Sequence, residues 1–111
     1  MNNTRFGLVG KTLKHSFSKQ YFTDKFAQLH LTQHTYSNFE LEDLHQLELF
    51  CKNTALDLCG FNVTIPYKEQ IIPFLDDLDS PAKTIGAVNT VVVKNGRLIG
   101  YNTDFEGFKS S

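Results

Sequence analysis

A chain of 111 residues with 41% apolar and 21% charged positions has the length and make-up of one soluble domain able to bury a single core. Eleven Lys and Arg against twelve Asp and Glu leave a net charge of −1 without any run of like charges, which excludes a basic nucleic-acid surface and a polyacidic tail. Apolar runs such as Val91-Val92-Val93 stop at three residues where a membrane span needs ~20, and Met1 to Arg5 carries no apolar signal region, so a cytoplasmic protein with no membrane partner is expected.

The chain alternates short strands with short helices. Arg5 to Val9 reads as a buried strand closed by Gly10, and Ser18 to Leu29 as an amphipathic helix with Phe22, Phe26 and Leu29 on one face and Ser18 as its cap. His34 to Phe39 follows as a second strand around Tyr36, then Glu42 to Lys52 as a helix burying Leu44, Leu47 and Cys51. Leu58 to Ile65 is a third strand ended by Pro66, followed by a helical turn from Tyr67 to Leu75. Ser80-Pro81 places a cap before a first-turn proline, predicting a short helix through Ile85 that Gly86 stops. Ala87 to Lys94 and Arg97 to Tyr101 flank Asn95-Gly96, the dipeptide suited to two positive φ angles, and so form a hairpin. Thr103-Asp104-Phe105-Glu106 is a capping box, and Phe105 and Phe108 open a helical stripe that reaches Ser111, so the natural chain is expected to continue.

Cys51 and Cys59 are too few and too far apart for a disulfide framework or paired zinc ligands, and read as reduced apolar residues. His30 and His34 have the spacing of two metal ligands on a helix, but the residues between them look like a helix exit and no acidic third ligand is near, so no metal is expected. Gly10-Lys11-Thr12 resembles the end of a phosphate loop, yet Arg5 stands where that loop needs its first glycine. No Gly-x-Gly pair occurs, which excludes a dinucleotide fingerprint.

What remains is a set of polar residues at predicted strand ends, where open α/β sheets build ligand crevices. Ser16 and Ser18 place two hydroxyls near a helix N-terminus, a favourable setting for a carboxylate, although for this segment alone a capping Ser18 and a solvent-facing Ser16 are the commoner case. Asn62 and Thr64 alternate with Val63 and Ile65, so two polar side chains share one face of a strand otherwise fit for a core. Lys68 sits at a helix start, where the dipole disfavours a cation; Asn89 is planted in a strand; Asp104 follows the hairpin. Lys68 alone is compatible with a solvated surface role and Asp104 with a favourable first-turn charge of a helix, or the two together with an ammonium and carboxylate pair that passes a proton.

Gly7-Leu8-Val9-Gly10, His15-Ser16-Phe17-Ser18, the stretch from Gly60 to Glu69 with Asn62-Val63-Thr64-Ile65-Pro66-Tyr67-Lys68, Ile85 to Val91 with Gly86-Ala87-Val88-Asn89-Thr90-Val91, and Gly100 to Phe108 with Gly100-Tyr101-Asn102-Thr103-Asp104 closely resemble the N-terminal domain of shikimate dehydrogenase, in the family's order and over nearly the whole chain. The resemblance implies residues 1–111 as the isolated N-terminal domain of a two-domain dehydrogenase. The implied fold is an α/β three-layer sandwich whose mostly parallel sheet carries an antiparallel hairpin strand. It also implies NADP-dependent reduction of 3-dehydroshikimate to shikimate in aromatic amino-acid biosynthesis, with NADP bound by a C-terminal Rossmann domain absent from this chain. On the same basis Ser16 and Ser18 would grip the substrate carboxylate, while Asn62, Thr64, Asn89 and Asp104 would contact ring hydroxyls. Lys68 would donate the proton, oriented by Asp104. The chain departs from the family at Lys11-Thr12, where Asn-Pro is common, and at Lys19, where proline is. The rival readings are a quinate or quinate/shikimate dehydrogenase and a non-catalytic domain that binds a small polyhydroxy acid.

Overall fold

The computed structural model describes residues 4–13, 18–30 and 33–103. Alternating strands and helices fold as β1 (Thr4–Gly10), α1 (Ser18–Gln28), β2 (His34–Glu40), α2 (Leu44–Lys52), β3 (Gly60–Val63), α3 (Tyr67–Gln70), β4 (Asp77–Leu78), α4 (Ser80–Ile85), β5 (Thr90–Lys94) and β6 (Arg97–Tyr101), with 3-10 turns at Thr54–Asp57 and Ile72–Phe74. The six strands form one sheet in the order β2-β1-β3-β5-β6-β4. Strand β1 pairs in parallel with β2 and β3, β4 pairs in parallel with β6, and β5 runs antiparallel to both β3 and β6. Five strands therefore share one direction and β5 alone opposes them, which is the mostly parallel sheet with a reversed hairpin strand that the sequence predicts.

Each face of the sheet has its own core. Val9, Phe61, Val63, Val91 and Leu98 point to the side covered by α2, α3, α4 and the 3-10 turns, packing on Leu47, Phe50, Tyr67, Ile71 and Ala82. Leu8 and Tyr36 point to the other side, with Phe6, Phe22 and Phe26, under α1. Burial on both faces explains why the strands carry apolar residues in succession rather than in strict alternation.

Several boundaries differ from the sequence expectation for local reasons. Helix α2 is capped by Asp43, which accepts the Gln46 N–H at 2.9 Å; Leu44, its first residue, is 50% exposed, and Phe50 is buried beside Leu47 and Cys51. Helix α4 is capped by Asp79, not Ser80: the Asp79 carboxylate accepts the Ala82 N–H at 2.8 Å, and Pro81 still lies in the first turn. Leu29 lies beyond the end of α1 and is 55% exposed. Strand β3 stops at Val63, because the Tyr67 N–H bonds the Thr64 carbonyl at 3.0 Å and folds the chain into a turn; Ile65 is then 75% exposed. Tyr67 to Leu75 splits into α3 and a 3-10 turn around Pro73. The hairpin turns at Asn95 and Gly96 with φ of 53° and 75°, as the dipeptide predicts, and Gly86 closes α4 at φ 79°. The capping box from Thr103 to Glu106 and its helix lie outside the described residues.

Candidate functional site

Because five strands are co-directional, their C-terminal ends lie along one edge of the sheet, and the reversed β5 begins at that same edge. The segments leaving β3 and β6 and the segment entering β5 are thus brought together. Backbone bonds fix their spacing: Thr64 N–H to Val9 C=O at 2.9 Å, Val63 N–H to Asn89 C=O at 2.8 Å, Asn89 N–H to Tyr101 C=O at 3.0 Å, and Val88 N–H to Lys68 C=O at 2.7 Å. Asn62, Thr64 and Lys68 from one segment and Asn89 from another, 21 residues on from Lys68, thereby share one sheet edge.

A run of side-chain hydrogen bonds crosses this edge. The Tyr36 hydroxyl donates to Asn62 Oδ1 at 3.0 Å, Asn62 Nδ2 donates to Thr90 Oγ1 at 3.4 Å, and Thr90 donates to Asn89 Oδ1 at 3.1 Å. Asn89 closes it by accepting the Thr103 N–H at 3.0 Å and donating through Nδ2 to Thr103 Oγ1 at 2.9 Å. Asn102, buried at 6% exposure, donates to the Ala87 carbonyl at 3.0 Å and anchors the chain just before Asp104. Each of these polar side chains has a partner, as burial beside a core requires.

Thr64 sits against the end of β1, where a Cβ added to Gly10 would come within 2.6 Å of its methyl carbon and 2.7 Å of Leu13. Only a glycine allows that approach. Lys68 is the second residue of α3 and half-buried. A four-residue helix has little dipole, so a cation at its start meets little of the penalty that a longer helix would impose. Ser18 is the first residue of α1. Ser16 and Asp104 lie outside the described residues, as does any account of the Ser18 side chain.

Two titratable groups are shifted by burial. Burial pushes the Cys51 thiol up to about 12, so it is unreactive, whereas Cys59 is a free, exposed thiol. The Tyr67 phenol is raised by burial and by the nearby carboxylates of Asp43 and Glu42, and its hydroxyl donates to the Leu41 carbonyl. Among the described residues no cluster of three or more His, Cys, Asp or Glu could hold a metal, and no helix is long and apolar enough to cross a membrane. An apolar cavity of about 390 Å³ beside α1 is lined by Phe6, Phe22, Phe26, Phe61 and Val92, and reaches Asn62 and Thr90 at the edge of the polar row.

Sequence reasoning passed over Tyr36, Thr90, Asn102 and Thr103. A tyrosine on the inner face of an alternating strand is itself a signal, since a buried hydroxyl needs a partner. Thr90 and Thr103 were visible as neighbours of Asn89 and Asp104, but only the register of β5 on β3, which sets Thr90 opposite Asn62, shows what they join.

A mixed α/β sheet that gathers amides, hydroxyls and an ammonium-bearing helix at its strand ends is a binding domain for a small polar ligand. Comparison with known sequences makes the class specific. The profile of the shikimate dehydrogenase substrate binding domain matches residues 8–91, and the chain belongs to this family. The shikimate dehydrogenase (NADP(+)) of Staphylococcus epidermidis is 42% identical over 110 residues, covering 97% of this chain and 39% of its own length. Among solved structures, shikimate dehydrogenase 1 of Peptoclostridium difficile superposes with a TM-score of 0.81 at 45% identity, covering 99% of this chain and 40% of the other. The shikimate 5-dehydrogenase of Thermus thermophilus in complex with shikimate gives 0.86 at 34% identity, covering 96% and 40%. The chain thus spans about two-fifths of the length of these relatives.

Proposed function

We propose that this chain is the substrate-binding part of an enzyme that reduces 3-dehydroshikimate to shikimate with NADPH. Family membership and the shikimate-bound Thermus relative support the substrate. The observation that carries the reading is the convergence of Asn62, Thr64, Lys68 and Asn89 on one sheet edge from segments separated in sequence. Amides and hydroxyls in that arrangement suit the ring hydroxyls of a small polyhydroxy acid.

With no Gly-x-Gly pair in its 111 residues, the chain does not fit a dinucleotide phosphate cradle. NADPH, the reductant in this proposal, is held by residues outside it. The chain's own contribution is the grip on the substrate and the proton. As the carbonyl becomes an alkoxide, the Lys68 ammonium stabilises the developing charge and protonates the oxygen, and Asp104 holds the ammonium in place. Ser16 and Ser18 hold the substrate carboxylate.

Shikimate titrated into the 111-residue chain and followed by amide chemical shifts tests the placement. Perturbations are expected to centre on Asn62, Thr64, Lys68 and Asn89 and on the residues around Ser16 and Asp104. Perturbations centred instead on Cys51 and His45, both on α2, would overturn it.

A further inference from the structure

An asparagine at a ligand site presents either a carbonyl or two N–H groups, and the choice decides which ligand atoms it recognises. For Asn62 the choice follows from a hydrogen-bond chain that begins at a group of fixed polarity. The Thr103 backbone N–H can only donate, so the Asn89 side-chain atom 3.0 Å away is its oxygen. That oxygen also accepts the Thr90 hydroxyl at 3.1 Å, which commits the Thr90 proton in that direction. With its proton spent, Thr90 Oγ1 receives Asn62 Nδ2 at 3.4 Å. Asn62 Oδ1 therefore turns the other way, where the Tyr36 hydroxyl donates to it at 3.0 Å.

We propose that Tyr36 is a positioning residue that fixes the orientation of the Asn62 amide, its oxygen on Tyr36 and its N–H groups on the Thr90 side, making Asn62 a donor that selects an acceptor oxygen of the ligand. Thr90 takes one of the two amide hydrogens, and the other has no partner among the described residues. Tyr36 is suited to the task because its ring cannot swing. It is 5% exposed and stacks on Phe22 with centroids 4.7 Å apart and planes 19° from parallel. From β2, two strands away from Asn62, it reaches across the β1 row that carries Leu8. Without the hydroxyl, only the long 3.4 Å bond to Thr90 holds the amide, and a turned-over Asn62 offers its carbonyl, which repels an acceptor oxygen of the ligand.

The inference rests on the reading that Asn62 contacts substrate, and the test separates the two. Tyr36→Phe keeps the stacked ring and removes the donor alone. In the ligand-free 111-residue chain, the Asn62 side-chain amide resonances are expected to shift and its two protons to exchange faster with water in this variant; unchanged resonances would overturn the positioning role. In the complete enzyme, Tyr36→Phe and Thr90→Val are each expected to raise KM for the dehydroshikimate roughly three- to tenfold, the worth of one hydrogen bond, with kcat held within about twofold. Asn62→Ala is expected to raise KM at least as much. If Asn62→Ala raises KM and Tyr36→Phe does not, the positioning proposal falls. If Asn62→Ala leaves KM unchanged, the substrate contact of Asn62 falls, and with it the selection of a ligand oxygen.

Discussion

The side-chain oxygen of Asn89 accepts the backbone N–H of Thr103 at 3.0 Å, across 14 residues of sequence, and so fixes the chain immediately before Asp104 to the start of β5. The same side chain returns a bond from Nδ2 to Thr103 Oγ1 at 2.9 Å, making a two-point clamp. Asn89→Ala removes both bonds and leaves the Thr90 hydroxyl without its acceptor. The clamp is partly open to water, so the expected loss is about 1 kcal/mol. Urea unfolding of the 111-residue chain reads it, and a loss below the error of that measurement would mean the clamp is not needed to hold the edge.

Thiol chemistry separates the two cysteines. Cys51 is buried at 3% exposure while Cys59 is exposed, so a thiol-specific reagent at mild pH is expected to label one cysteine of the native chain promptly and the second only in denaturant. Cys59→Ser should abolish the fast reaction. Fast labelling of both residues in the native state would show that the α2 face of the core opens readily.

Most of the architecture was legible in the sequence because its signals are local. Asn95-Gly96 names its own turn, and the spacing of Phe22 and Phe26 names the buried face of α1. Asp43 and Asp79 show the limit of such signals: the starts expected at Glu42 and Ser80 each lie one residue from the cap actually used, a difference that local sequence pattern does not resolve. The two-residue β4 was invisible, since its only support is pairing with β6. At the site, the polar alternation of Asn62 and Thr64 was readable, but the link from Tyr36 through Thr90 to Asn89 depends on strand order and register, which no local pattern encodes.

Alkaline conditions should destabilise the chain through groups that stay protonated only when folded. Burial moves the Cys51 thiol from its ordinary 9.0 to about 12, and Tyr67 is raised above its ordinary 10.0. Above pH 9 the unfolded chain gives up the Cys51 proton that the native state keeps, so the unfolded state binds fewer protons and stability falls as pH rises. The stabilising contribution is intact below pH 9 and is lost progressively up to about 12, and Tyr67 adds in the same direction from 10.0 upward. The slope from Cys51 alone is at most about 1.4 kcal/mol per pH unit. Unfolding midpoints measured across this range should decline less steeply in Cys51→Ala; an identical decline would remove Cys51 from the account.

Lys68 and Asp104 call for paired variants in the complete enzyme, because each residue has an ordinary role that would explain its presence. Lys68→Met keeps the length of the side chain and removes its charge. At a half-buried position the melting temperature should hardly move, while loss of a proton donor lowers kcat by roughly 10² to 10⁴ with a smaller change in KM. Asp104→Asn is the more searching variant. Asparagine still caps a helix and still hydrogen-bonds a hydroxyl, so a purely structural Asp104 would cost at most about 1 kcal/mol of stability and leave catalysis near normal. As the partner of Lys68 its carboxylate instead orients the ammonium and sets its proton affinity, and the expected result is a fall in kcat/KM of at least about tenfold at an unchanged melting temperature. A destabilised Asp104→Asn protein with intact kcat/KM would reduce the residue to a cap, and a fully active Lys68→Met protein would return the lysine to the surface.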